Sequence, residues 1–95
     1  MSTSKLIEVV ANLASYDPEM TIYAPKPWSC DSEAIVVREP DEGGLPREAK
    51  SCGAVYFIEV FVAKEFLDGW TASKARSISA REQCERLIQY AINDA

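Results

Sequence analysis

Hydrophobic positions along the chain form three segments with strand character and follow helical spacing in two others. The longest apolar stretch, residues 54–63, is interrupted by a single charge, Glu59, and is rich in β-branched and aromatic side chains, which favour strands. Read with a period of two, Tyr56, Ile58 and every second residue to Val62 share one face. This pattern predicts a strand in the middle of a sheet, with a helix packed over its apolar face.

Two shorter segments with strand character precede that stretch, at residues 20–24 and 33–38. Between them, two prolines at residues 25–28 predict a stiff corner that cannot continue a central strand. Residues 39–53 begin with prolines, glycines and acidic residues, which predicts a long loop.

Helical spacing of apolar residues predicts a first helix over residues 4–15 and a last helix over residues 80–93. The last helix is preceded by Ser79 and has Glu82 in its first turn, the pattern of a capping box. Residues 64–68 indicate one or two further helical turns, closed by Gly69. Residues 70–74 are expected to be irregular.

These elements predict one α+β domain over residues 1–95. Three strands with non-helical connections favour a three-stranded antiparallel sheet, arranged as a meander, with the N- and C-terminal helices packed on one face. The composition, 47% hydrophobic and 26% charged, is typical of a globular chain. No apolar run approaches the ~20 residues of a membrane span. The N-terminal segment lacks a secretory pattern, so we expect a cytoplasmic protein.

Charge and residue usage narrow the possible functions. The net charge is −5, and residues 1–48 carry nine acidic against four basic side chains. An acidic chain is repelled by nucleic acid phosphates, so a basic protein is the better expected partner. The chain has no histidine, the commonest general base and metal ligand. Its three cysteines form no metal or redox motif. We therefore expect no metal, no cofactor and no enzymatic activity.

Two places could nevertheless carry chemistry. Glu59 could act as a general base if it were buried, or it could lie on a solvated face opposite a cation such as Arg38. Residues 30–33 bring a thiol, a hydroxyl and carboxylates together in sequence, but no histidine is available to activate a nucleophile. Cys84 falls on the apolar stripe of the last helix, which is typical of a buried small residue.

A tryptophan beside acidic residues is the most suggestive feature of the chain. Trp28 is held between proline and turn residues, and tryptophan is prominent among interface hot spots. The side chain could anchor a partner, or it could fold over the sheet edge and close the core. The predicted partner-binding residues are this tryptophan and the acidic side chains that follow it: Trp28, Asp31, Glu33, Glu39, Asp41 and Glu42.

Residues 22–28, 32–36, 56–60 and 65–67 resemble a group of small bacterial proteins of unassigned function. They also resemble the immunity proteins that protect bacteria from contact-delivered or other polymorphic toxins. This resemblance implies a small, acidic, cytosolic, non-enzymatic protein that neutralises a basic toxin by direct binding. It transfers no catalytic residue. The alternative is a small-molecule-binding or subunit domain, with a pocket between the sheet and the helices.

Overall fold

The computed structural model describes residues 3–74 and 77–94, and within them it contains four strands and four helices. The strands are β1 (Ser4–Lys5), β2 (Thr21–Ala24), β3 (Glu33–Val37) and β4 (Val55–Glu59). The helices are α1 (Leu6–Ala11), α2 (Arg47–Ser51), α3 (Val60–Ala72) and α4 (Ala80–Asp94). A 3-10 turn, Leu13–Ser15, follows α1.

All four strands are antiparallel to their neighbours, in the order β1-β3-β2-β4. The predicted α+β class and antiparallel pairing are confirmed, but the sheet has four strands rather than three. The additional strand is β1, in which Ser4 and Lys5 pair with Ala34 and Glu33. Two residues are too few to show alternation, so the sequence assigned them to the first helix.

The prediction for residues 54–63 is wrong in two respects. The strand ends at Glu59, and the chain passes directly into α3 at Val60. The apolar residues there suit a helix equally well, because Val60, Ala63 and Leu67 lie at i, i+3 and i+7 and all three are buried. In addition, β4 lies at the edge of the sheet. The interior position belongs to β2, and all four of its residues are buried.

Strand order also differs from the predicted meander, because β2 lies between β3 and β4. The predicted loop over residues 39–53 contains α2, and the predicted break at Gly69 lies inside α3. The last helix is confirmed, beginning at Ala80, and the Ser79 hydroxyl accepts a hydrogen bond from the Glu82 amide at 3.1 Å.

The main core lies between one face of the sheet and three helices. Leu6 and Val9 of α1, Val60 of α3 and Leu87 of α4 are at most 1% exposed and belong to one cluster with sheet residues such as Ile22. The N- and C-terminal helices therefore share a face of the sheet. None of the helices described in residues 3–74 and 77–94 is long and apolar enough to cross a membrane.

A second, smaller cluster lies on the opposite face. It contains Tyr23 and Ile35 from the sheet, covered by Ala49 of α2, Ala54 and the partly buried Leu45. These covering residues come from the segment that leads into β4, on the side of the sheet that the three larger helices leave free.

Candidate functional site

The corner at Trp28 is fixed by backbone hydrogen bonds to the start of α1. The amides of Leu6 and Ile7 donate to the carbonyls of Ser32 and Cys30, at 2.8 and 3.0 Å. A helix leaves its first amides without internal partners, so the turn that follows Trp28 satisfies them. This arrangement holds the corner against α1.

Trp28 itself is half-buried and already engaged within the chain. Its Nε1 donates to the Ala24 carbonyl at 3.0 Å, and its ring meets Phe57 edge-on at a centroid distance of 4.8 Å. The Lys26 ammonium lies 5.0 Å from the ring centroid. These contacts favour the interpretation that Trp28 closes the core, although part of its surface remains accessible.

Two surface depressions flank the accessible part of Trp28. A groove of about 570 Å³ separates residues 28–31 from α4 and carries charges of both signs, including Asp31, Arg81 and Glu85. A smaller apolar depression of about 270 Å³ is lined by Lys26, Pro27, Trp28 and Ile92. The predicted small-molecule alternative placed its pocket between the sheet and the helices, whereas this groove lies at the surface beside α4.

The predicted acidic cluster is divided into two groups by β3. Asp31 and Glu33 lie before or at the start of that strand, and Glu39, Asp41 and Glu42 follow its end. At ~3.3 Å per residue, five residues of strand hold the two groups more than about 13 Å apart. Trp28 is therefore beside the first group alone.

The first acidic group has partners within the chain. Asp31 lies 4.0 Å from the Lys5 ammonium, and Glu33 accepts a hydrogen bond of 2.6 Å from the Thr3 hydroxyl. The nearby groove also contains two arginines of α4. The potential around Trp28 is therefore mixed rather than uniformly negative.

The second acidic group is different. Within the described residues, Glu39, Asp41 and Glu42 form no ion pair. All three are exposed.

Sheet register places four side chains on the face next to this second group. Tyr23 pairs with Tyr56, and Thr21 pairs with Glu59, so all four project from the same side of β2 and β4. We call these four residues the tyrosine face. Tyr23 is 1% exposed and Tyr56 is 46% exposed, with their rings edge-to-face at 6.5 Å between centroids.

A β-bulge builds this face. Between the pairs Ile22–Ile58 and Tyr23–Tyr56, β4 contains one extra residue, Phe57, which has no partner in β2. Phe57 and Ile58 both pack into the main core. The bulge shifts the alternation of β4 by one residue. Tyr56 and Glu59 therefore lie on the same face, whereas strict alternation would place them on opposite faces.

Negative charge surrounds the two tyrosine hydroxyls. Burial raises the pKa of Tyr23 above 10.0, and the charge of Glu39 raises it further, followed by that of Glu59, while the Thr21 hydroxyl lowers it. Burial also raises the pKa of Tyr56, with Glu59 and then Glu39 acting in the same direction by their charge. Glu39 thus acts on the tyrosine face, and the hydroxyls lie in a negative potential.

The Tyr23 hydroxyl is buried and unpartnered. No atom of the described residues, the neighbouring Thr21 hydroxyl included, meets hydrogen-bonding geometry with it. Most buried polar groups are hydrogen-bonded, so such an exception requires an explanation.

Glu59 does not pair with Arg38, contrary to the sequence-based expectation. The Arg38 guanidinium contacts Asp17 at 3.3 Å and Glu19 at 3.4 Å. Glu59 is partly exposed and forms no ion pair within residues 3–74 and 77–94. It is a fourth carboxylate without an ion pair, after Glu39, Asp41 and Glu42, and, in addition to burial, its interaction with the Tyr56 hydroxyl raises the pKa of that phenol.

Residues 30–33 do not converge on a shared site. Cys30 is 5% exposed and its Sγ points to the Arg81 carbonyl at 4.0 Å. The Ser32 hydroxyl accepts a hydrogen bond from the Ser29 amide, and Asp31 is exposed. In the part of the chain that the structure describes, no group of three or more cysteine or acidic side chains is placed to hold a metal ion.

The sequence analysis identified Glu39 but missed Tyr23, Tyr56 and Glu59 as members of one site. Alternation alone put Tyr56 and Glu59 on opposite faces, and the bulge at Phe57 reverses that. A charged residue within an apolar strand was the one available signal.

The chain matches no protein-family model, and neither a curated protein nor a solved structure is similar to it at a meaningful level. The resemblance to immunity proteins stays a prediction.

Proposed function

We propose that the chain is a non-enzymatic binding protein that captures a basic protein, in the manner of an immunity protein that neutralises a toxin. The observation that supports this proposal is the set of four carboxylates without ion pairs among the described residues, Glu39, Asp41, Glu42 and Glu59, two of which, Glu39 and Glu59, act by their charge on the exposed Tyr56. The contact surface consists of these carboxylates and the tyrosine face.

Electrostatics supply the first part of the capture. The net charge of −5 and the run of three acidic residues within positions 39–42 attract a basic surface and orient it during approach. Because these carboxylates have no cation of their own within the described chain, an incoming lysine or arginine would not have to displace an existing ion pair.

Tyr56 supplies the second part. A half-exposed tyrosine on a strand offers a rigid, amphipathic contact area that loses little conformational entropy on binding, and tyrosine is enriched among hot spots. Trp28, with Asp31 and Glu33, is the competing anchor, but its indole is already hydrogen-bonded and its neighbouring charges are mixed. We assign the main contact to Tyr56.

The proposal is tested with two variants that remove equal charge. The first is Glu39→Gln/Asp41→Asn/Glu42→Gln, and its matched control is Glu48→Gln/Glu65→Gln/Asp68→Asn. Each variant is immobilised and incubated with extract of the source cells, and the affinity of any retained basic protein is then measured with purified components. We expect the first variant and Tyr56→Ala to weaken binding by about 2 kcal/mol or more, roughly 30-fold, whereas the control retains it.

Equal weakening by both charge variants would show that net charge alone determines binding. Loss of binding in Trp28→Ala with retention in Tyr56→Ala would place the contact beside α4. Either result contradicts the assigned surface, and capture of no basic protein contradicts the function.

A further inference from the structure

The tyrosine face contains a hydrogen-bonding group that the fold leaves unused. The Tyr23 hydroxyl is covered by neighbouring residues and has no partner among the described atoms. A phenol oxygen can both donate and accept a hydrogen bond. A group of a binding partner that reaches this hydroxyl would supply the hydrogen bond that the isolated fold lacks.

The charges around this hydroxyl determine which kind of group fits. Burial raises the pKa of both Tyr23 and Tyr56, and the negative charges of Glu39 and Glu59 raise it further, so the electrostatic potential at both hydroxyls is negative. Arg38 directly precedes Glu39 in the chain, but its guanidinium is engaged with Asp17 and Glu19. The fitting group is therefore positively charged and rich in hydrogen-bond donors.

Geometry separates the two cations that a protein can offer. A guanidinium is planar, stacks on an aromatic face and carries five donors in a fixed fork, so it can engage a ring, a carboxylate and a hydroxyl at once. An ammonium is a compact, strongly hydrated point charge that gains less from an aromatic face and from paired acceptors. The half-exposed ring of Tyr56, which meets the Tyr23 ring edge-to-face and interacts with Glu59, suits the planar fork.

We infer that the tyrosine face receives an arginine side chain of the basic partner, stacked on Tyr56 and paired with Glu59 and Glu39, and that the side chains covering the Tyr23 hydroxyl move aside on binding so that the guanidinium hydrogen-bonds to it. This inference rests on the proposed function and specifies its central contact. The three acceptors come from β2, β4 and the segment after β3, so the recognition element depends on the sheet register rather than on one loop.

The test uses two blocked pentapeptides, Gly-Gly-Arg-Gly-Gly and Gly-Gly-Lys-Gly-Gly, titrated into the isotope-labelled full chain and followed by amide chemical shifts. We expect the arginine peptide to shift the amides of Tyr23, Tyr56 and Glu59 and to bind about tenfold more tightly than the lysine peptide. We expect Glu59→Gln to weaken the arginine peptide about tenfold, because a charge-assisted pair is lost.

Tyr23→Phe keeps the ring and removes the hydroxyl, so it isolates the buried contact. We expect it to weaken the arginine peptide about fivefold and to leave the lysine peptide unchanged. The control is Glu65→Gln on an exposed position of α3, which should bind both peptides like the unmodified chain.

Equal affinity for the two peptides, or unchanged arginine binding in Tyr23→Phe, would overturn the inference. So would the absence of shifts at Tyr23 and Tyr56 up to the solubility limit of the peptides. The proposed function is judged separately, because a partner retained by the unmodified chain and lost in the Glu39/Asp41/Glu42 variant supports capture of a basic protein even if arginine is not preferred.

Discussion

The hydroxyl of Tyr23 is expected to destabilise the free protein and to strengthen the binding of a partner. Its ring is buried against the smaller core cluster, which stabilises the sheet, while its hydroxyl has no partner among the described atoms. An unsatisfied buried polar group destabilises a fold by about 1–3 kcal/mol. Binding sites often retain such groups because the free energy is recovered only when the partner arrives.

Replacing Tyr23 with Phe should therefore stabilise the free protein. We expect the free energy of unfolding at pH 7 to rise by about 1 kcal/mol, because the substitution removes an unsatisfied hydroxyl and keeps the ring. Urea unfolding followed by circular dichroism measures this change. A loss of stability would show that the hydroxyl is satisfied in solution.

The same variant has a distinct pH dependence. The pKa of Tyr23 is raised above 10.0 in the fold, so the folded state holds this proton more tightly than the unfolded state. The resulting stabilisation is present below pH 10 and is lost as the pH rises through the folded pKa. Unfolding curves above about pH 10 should show a steeper loss of stability for the unmodified chain than for Tyr23→Phe. Parallel curves would contradict this expectation.

Helix starts show why some elements were predicted and others were not. The first amides of α3 are satisfied from a distance: Val60 donates to the Met20 carbonyl at 2.9 Å and Phe61 to the Pro18 carbonyl at 3.2 Å. The first amides of α1 similarly use Ser32 and Cys30. The start of α3 therefore needs no serine or aspartate before it and carries no local signal. At α1 a local contact adds to the remote ones, because the Glu8 carboxylate accepts a hydrogen bond from the Lys5 amide at 3.0 Å. The start of α4 is capped by the adjacent Ser79, and its prediction is confirmed.

Helix α3 contains a residue that weakens it. Gly69 lies within the helix, and a Cβ added there would meet no atom within 4 Å. We expect Gly69→Ala to raise the free energy of unfolding by about 0.5–1 kcal/mol, because alanine reduces the backbone entropy lost on folding. Thermal and urea unfolding provide the measurement.

Gly53 is the matched control for that substitution. It is equally uncrowded, but its φ of +72° is disfavoured for any residue with a Cβ. Gly53→Ala should therefore destabilise the chain. Equal effects of the two substitutions would mean that helix propensity does not determine the stability of α3.

The candidate site could be predicted only in its composition. The acidic excess and the missing histidine are visible in the sequence and indicate an acidic protein. Which carboxylates remain unpaired depends on Arg38 reaching Asp17 and Glu19, about twenty residues away in sequence. Ion pairs between residues this far apart in sequence depend on the packing of the whole chain, so no local sequence pattern predicts them.

Both ends of the chain contribute to one core, so the molecule should open as a unit. Cys84 is fully buried between the sheet and the helices, Cys30 is 5% exposed, and Cys52 is exposed. Burial, and next the contact with Cys30, raise the pKa of the Cys84 thiol, so little reactive thiolate forms there.

Thiol labelling reports this opening. We expect Ellman's reagent to modify Cys52 rapidly in the native protein, and Cys30 and Cys84 only at the rate of global unfolding. Cys52→Ser should abolish the rapid phase and leave the slow one. Rapid labelling of all three thiols would show that α4 detaches independently of the sheet.

The extra residue in β4 has a consequence for self-association. An edge strand with a regular ladder offers a template for another copy of the chain, and repeated templating leads to fibres. The bulge at Phe57 interrupts the regular pairing of β4 with β2, and Phe57 and Ile58 are each less than 5% exposed, so this edge is a poorer template for an incoming strand than a regular one. One inserted residue thus makes the border strand a poorer template while turning a tyrosine and a carboxylate outward together.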